Sequence, residues 1–213
     1  GLMRACQVHG ATILVARNGA REPAEADILV TGEGGSAVAV QAADCVPLLV
    51  ADRRTGAVAA AHAGWRGLAL RVPEIAVGAL GREFGSRPVD LIAAAGPSIG
   101  ACCYEVGDDV RERFEAADFS SDAVARWFLR SPAETARNRS CPLLRRGELE
   151  GRWFFDEWAA VRAQLGAAGV PAAQIYVAEL CTASHPAAFC SYRRDGASAG
   201  RLAAAIRCAP PHP

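Results

Sequence analysis

Neither sign of charge is in excess in this chain: 23 Lys and Arg balance 23 Asp and Glu, for a formal net charge of zero. A nucleic-acid-binding surface needs a basic surplus to displace counterions from phosphates, so nucleic acid is not an expected partner, although a local anion pocket is compatible with the balance. No uncharged apolar run approaches the roughly 18 residues that a membrane span requires. The N-terminus lacks a basic segment followed by an apolar one, so no signal peptide is read. A disulfide framework is also missing. The eight cysteines are spread through 213 residues rather than packed into a short secreted domain, which points to free thiols in a reducing cytoplasm. No repeat or linker divides the chain. With 51% hydrophobic and 22% charged residues, it reads as one globular domain over residues 1–213 with a single core.

What is present begins with strands. Thr12–Ala16, Asp27–Thr31, Ala37–Gln41, Pro47–Ala51 and Ala57–Ala63 are short apolar runs separated by turn signals, the last two forming a hairpin around Thr55-Gly56. After Gly67 the periodicity becomes helical. Leu68, Val72, Ile75, Ala76, Ala79 and Leu80 share a face that ends near Gly81 or Gly85, with Pro73 tolerated if the regular helix starts near it. Val89–Ala95 is a buried strand, and Val110–Ala117 and Asp122–Leu129 are helices. Ser131–Glu150 is a polar, Arg-rich mobile loop, and Phe154–Ala168 is a helix. Gln174–Leu180 is a strand, and Ala188–Tyr192 pairs with Leu202–Ile206 in a second hairpin around Asp195-Gly196. Strands at the start with helices interspersed later favour α+β over regular βαβ alternation.

Three separated residues carry the chemistry. His9 lies in Gln7-Val8-His9-Gly10, Cys45 in Ala43-Asp44-Cys45-Val46-Pro47, and His62 in His62-Ala63-Gly64-Trp65-Arg66-Gly67. Each alone has an ordinary reading: a surface His, a small buried Cys, a turn with a packed Trp. Together, two imidazoles and a thiolate make a three-ligand zinc set with a fourth position open to water or substrate. The same set accepts copper. Asp44 is an expensive place for a carboxylate unless something pairs with it. Gly64 and Gly67 allow a tight bend or a close approach, Trp65 offers a flat apolar wall, and Arg66 offers a fork of donors for an anion. A second segment, Gly96-Pro97-Ser98-Ile99-Gly100-Ala101-Cys102-Cys103-Tyr104-Glu105-Val106, reads as a wall of the same pocket. There Tyr104 or Glu105 meets substrate or Arg66, and Cys102 and Cys103 are buried thiols. In Phe189–Gly196, Arg193 and Arg194 read as strand neighbours on opposite faces, one entering a pocket and the other pairing with an acid.

These motifs, with Cys181-Thr182 and Ser191-Tyr192-Arg193-Arg194-Asp195-Gly196, occur in the order found in the YfiH-like family, also called laccase-domain or multicopper-polyphenol-oxidase-type proteins, which the chain resembles from Gln7 to Ile206. The resemblance implies an α+β fold, a layered αββα sandwich with mixed sheets, related to toxin deamidases. It implies a metal site of His9, Cys45 and His62, and zinc-dependent phosphorolysis of adenosine, inosine, guanosine or methylthioadenosine with adenosine deamination beside it. The substrates are then a purine nucleoside and phosphate. In that reading Asp44, Cys45 and His62 are catalytic, and Trp65, Arg66, Tyr104, Arg193 and Arg194 bind substrate. The family ordinarily has several dozen residues before the Gln-Val-His-Gly motif that are absent here, and its Thr-Gly-Arg reads Ala199-Gly200-Arg201. Three alternatives stand beside this reading: a metal-free cysteine hydrolase or amidase using Cys45 and His62, a copper-dependent polyphenol oxidase, and a binding or scaffold protein with a degenerate site.

Overall fold

A computed structural model describes residues 1–17, 24–141, 144 and 151–209. Its centre is a six-stranded mixed sheet of β2 (Ile13–Val15), β3 (Ile28–Thr31), β5 (Val46–Asp52), β6 (Val58–Ala63), β7 (Leu91–Ala95) and β11 (Ile175–Val177), in the order β11-β7-β5-β6-β3-β2. The pairs β3–β6, β5–β6 and β5–β7 are antiparallel, and the two edge pairs β2–β3 and β7–β11 are parallel. Every residue of β6 is buried, as expected for a central strand covered on both faces. One face carries α1 (Trp65–Ala69), α2 (Val72–Phe84) and α5 (Glu157–Ala167). The other packs on a three-stranded sheet of β1 (Leu2–Met3), β4 (Ala37–Ala42) and β12 (Leu202–Arg207). The fold is therefore the layered α+β sandwich the motifs imply. Burying apolar area at roughly 25 cal/mol per Å² is what holds such layers together, and the Val, Leu and Ala side chains between them are fully enclosed.

A smaller antiparallel sheet of β8 (Glu105–Gly107), β10 (Arg152–Phe155) and β9 (Phe128–Leu129) sits with α3 (Asp108–Glu115) and α4 (Ser121–Trp127). Its core is aromatic: Phe114 meets Phe119, Trp127, Phe128 and Phe155 at centroid distances of 5.0–6.0 Å.

Four expectations change. The helix read through Leu68–Leu80 breaks in two, because Arg71 adopts a left-handed φ of 62° and caps α2, leaving Pro73 in its first turn. Phe154 and Phe155 belong to β10 rather than to the following helix, which starts after the Asp156 cap accepts the Ala159 N–H. Phe128 and Leu129 are the strand β9 rather than the end of a helix. The second hairpin does not form. β12 pairs antiparallel with β4, and Tyr192–Asp195 is a short helix, α6, capped by the Ser191 hydroxyl. Local pattern identifies β12 as a strand but cannot name a partner 160 residues away. In the loop read from Ser131, the described part is irregular but tied down, with Ala133 N–H donating to Ala101 O and Asn138 bonded to Cys181 and Glu179. Residues 142–143 and 145–150 of that loop lie outside the described residues.

Candidate metal centre

The hairpin register builds the site. Val46 faces Ala63 and Pro47 faces His62, so Cys45, one step before β5, lies across from Gly64, one step after β6. A Cβ on Gly64 would sit 2.6 Å from Cys45 Sγ and 3.6 Å from His9 Cδ2, so no larger residue fits there without displacing the sulfur. Antiparallel pairing of Ile28 with Ala61 sets Asp27 beside His62, whose N–H donates to the Asp27 carbonyl at 2.8 Å. His9 arrives from the segment before β2, and its ring packs edge-on to His62 with centroids 4.7 Å apart and planes at 74°. One ligand atom from each of His9, Cys45 and His62 lies within 4.8 Å of the others. His9 is exposed, Cys45 half-buried and His62 buried, so the cluster opens on one side.

Asp27 organises the cluster and was not read from the sequence. Fully buried, it accepts the His62 Nδ1–H at 2.8 Å and the backbone N–H groups of Val8, His9 and Gly10 at 3.2, 3.0 and 2.7 Å. Those bonds hold the left-handed backbone at His9, φ 60°, and leave His62 Nε2 as the ring's free ligand atom, the arrangement by which a carboxylate orients a metal-binding imidazole. Burial lowers the His62 pKa and the Asp27 bond only partly opposes it, so the ring favours the neutral, ligating form. A lone acid at the head of an apolar strand was the only trace of this residue in the sequence.

The other predicted residues fall into two groups. Asp44, with a left-handed φ of 89°, is the paired carboxylate its sequence context demanded. It accepts the Thr182 hydroxyl and the Arg193 N–H, both at 2.6 Å. Arg193 lies over the Tyr104 ring, 5.1 Å from its centroid, and donates to Glu105 O at 2.7 Å. These contacts join Asp44, Tyr104 and Arg193 into one wall. Arg66 is exposed and rests on Trp65, 4.4 Å from the ring centroid. Arg194, by contrast, spends its donors on Asp195 and on the carbonyls of Thr182, Ala183 and Phe189, which fixes the loop. The Glu105 side chain turns to Arg152 at 3.8 Å rather than to Arg66. A cavity of about 490 Å³ lined by Ala101, Arg137, Asn138, Asp156 and Trp158 includes none of the three ligands.

Glu157 is the second residue that the sequence did not reveal. Next to Asp156, it reads as a solvated acid in a helix's first turn, yet it is 1% exposed. Burial holds its pKa well above the ordinary range; a hydrogen bond with Ser98 opposes this only in part, and the charge of Asp44 adds to it. The folded chain therefore keeps a proton that the unfolded chain releases above its normal pKa, and stability falls as pH rises through the neutral range. Wild-type unfolding free energy should lose up to about 1.4 kcal/mol per pH unit from this group, and Glu157→Gln should remove that slope in urea melts between pH 5 and 7. An unchanged slope in the variant would place the proton elsewhere.

Burial first, then the nearby acidic groups Glu157, Asp44 and Asp27, pushes the Cys45 thiol far above its usual pKa. A bare thiol in that field stays protonated and is a poor nucleophile. A bound cation inverts this, because a coordinating thiol is deprotonated outright.

Against this geometry, comparison with known proteins is decisive. A family described as multi-copper polyphenol oxidoreductase laccase matches residues 2–209. The chain belongs to that family, the YfiH-like proteins. A purine nucleoside phosphorylase of Bacteroides thetaiotaomicron is 36% identical over 84% of this chain and 60% of its own length. The adenosine deaminase RL5, from an unknown prokaryotic organism, is 38% identical over 82% of the chain and 59% of its own. The crystal structure of the Bacillus licheniformis hypothetical protein YfiH superposes with a TM-score of 0.83 at 31% identity, over 97% of this chain and 73% of that one. The chain thus spans about three fifths of the length of these two curated relatives. No helix among its described residues is long and apolar enough to cross a membrane.

Proposed function

We propose that this chain carries the centre of a zinc-dependent purine nucleoside phosphorylase that also deaminates adenosine. The observation that carries the reading is the open His9–Cys45–His62 cluster with its Asp27 support. Relatives named purine nucleoside phosphorylase and adenosine deaminase support the substrate class. The donor set fits a metal: two imidazoles and one sulfur suit zinc. When bound, zinc supplies Lewis acidity and a lowered pKa for water.

The chain's own residues supply the rest. Arg66, exposed on Trp65, is the phosphate clamp, since a guanidinium offers paired donors to an anion. Arg193, over Tyr104, is its counterpart across the pocket, and Tyr104 or Trp65 stacks on the base. Asp44 carries the proton. An ionised carboxylate has about four acceptor sites, and Thr182 and Arg193 take one bond each, so capacity remains for substrate or water. Arg194, bonded within its loop, positions rather than binds. The substrates are a purine nucleoside and phosphate, and the described cysteines, all free, suit a reducing cytoplasm.

The assay is adenosine with and without phosphate, on protein whose metal content is measured. Phosphate-dependent release of adenine supports phosphorolysis, and inosine formation without phosphate reports deamination. Turnover unaffected by a dithiol chelator would return the site to the cysteine-hydrolase reading, whereas phenol-dependent oxygen uptake scaling with copper would make it an oxidase. Nucleoside binding without turnover would leave a binding protein.

A further inference from the structure

A second sulfur cluster lies outside the centre just described. Cys102 and Cys103 leave the Gly100 turn, and Cys181 comes from a segment far away in sequence, yet the three sulfurs lie within 4.8 Å of one another. They are 2%, 4% and 0% exposed. Buried cysteines ordinarily act as small apolar residues, but here two backbone segments are clamped together to bring the sulfurs into contact. Ser98 and Cys181 form a parallel bridge, with Ser98 N–H donating to Leu180 O at 3.2 Å and Thr182 N–H to Ser98 O at 3.0 Å. Asn138 Oδ1 accepts the Cys181 N–H at 2.8 Å. Cys103 Sγ lies 3.6 Å from Arg139 O. Sulfurs around a metal at about 2.3 Å in a plane stand about 4 Å apart, so the observed spacing needs little adjustment.

We propose that Cys102, Cys103 and Cys181 form a second, all-sulfur metal site that takes a soft monovalent cation of the copper(I) class. Soft thiolates select copper(I), zinc or iron–sulfur clusters. Zinc in a buried structural site takes four ligands. The fourth cysteine near these three, Cys141, is only partly buried and falls outside the mutual 4.8 Å group. Three buried sulfurs with no fourth cysteine in the group match a three-coordinate ion better. Binding is ligand exchange at constant oxidation state. Copper(I) leaves its carrier and bonds to the three sulfurs, and the thiol protons it displaces pass to solvent.

The test uses the full chain as a Cys45→Ala variant, which removes the only sulfur of the first cluster. It is loaded anaerobically from a copper(I)–bathocuproine complex and read by copper content and X-ray absorption. One copper per chain with three sulfur neighbours and no nitrogen is expected. Adding Cys102→Ser or Cys181→Ser should lower the retained copper from one to none, with folding verified by circular dichroism; Cys103→Ala replaces either variant if it unfolds. No sulfur-bound copper in the Cys45→Ala protein, or undiminished sulfur-bound copper in the folded cysteine variants, would overturn the site. Selective retention of zinc dependent on Cys141 would overturn the choice of ion.

Discussion

Cys45→Ala should cost on the order of a thousandfold in kcat/KM for phosphorolysis, together with stoichiometric loss of the metal at the His9–Cys45–His62 centre. The magnitude follows from what a Lewis acid contributes. Charge stabilisation at a metal is worth several kcal/mol of barrier, and each ~1.4 kcal/mol is tenfold in rate. Removing the sulfur leaves two imidazoles, an incomplete set for an open catalytic zinc site. The fold should survive, because Cys45 is half-buried and alanine removes only its sulfur. Loss of turnover alone does not separate a metal ligand from a nucleophile, so the decisive comparison is with wild type stripped by a chelator and then reloaded. Both preparations should be inactive and only the stripped wild type should recover with zinc. Full activity of folded Cys45→Ala would end the metal reading, and full activity of stripped wild type would end it in favour of the thiol.

The sequence and the structure agree where chemistry and local periodicity speak together. His9, Cys45 and His62 each sit in a motif, and they converge. The β5–β6 hairpin was legible because Thr55-Gly56 marks its turn between two apolar runs, and Gly56 indeed takes φ 77°. What was not legible depended on distance in the chain. Asp27 gains its role only when β3 pairs with β6 and delivers it to His62. Glu157 is ordinary in a helix's first turn until tertiary packing encloses it. Cys102 and Cys103 read as buried thiols, which they are, but the third sulfur comes from more than 70 residues further along the chain. The Arg193-Arg194 pair was placed on a strand, whereas the Ser191 hydroxyl caps a short helix there. Arg193 nevertheless faces Tyr104, and Arg194 meets an acid, Asp195.

Asp27 offers the second large effect, and it separates support of the metal from ligation. In Asp27→Ala, three backbone N–H groups and the His62 Nδ1–H lose their acceptor inside the protein. Each unsatisfied buried donor costs roughly 1–3 kcal/mol, reduced where water reaches the exposed His9 segment, so a loss of about 3–5 kcal/mol in unfolding free energy is expected, comparable with breaking other buried charged networks. Asp27→Asn is the sharper probe. Its amide has one oxygen for four donors. If that oxygen serves the backbone, the amide N–H₂ faces His62 Nδ1 and selects the tautomer protonated at Nε2, which removes the ring's ligand lone pair. Metal affinity should then fall about 10- to 100-fold, while Cys45 and His9 remain in place. Competition against a chromophoric chelator measures that affinity, and urea melts of the metal-free protein measure the fold separately. Wild-type affinity in a folded Asp27→Asn protein would mean that His62 does not bind the ion through Nε2, and the ligand set would have to be redrawn.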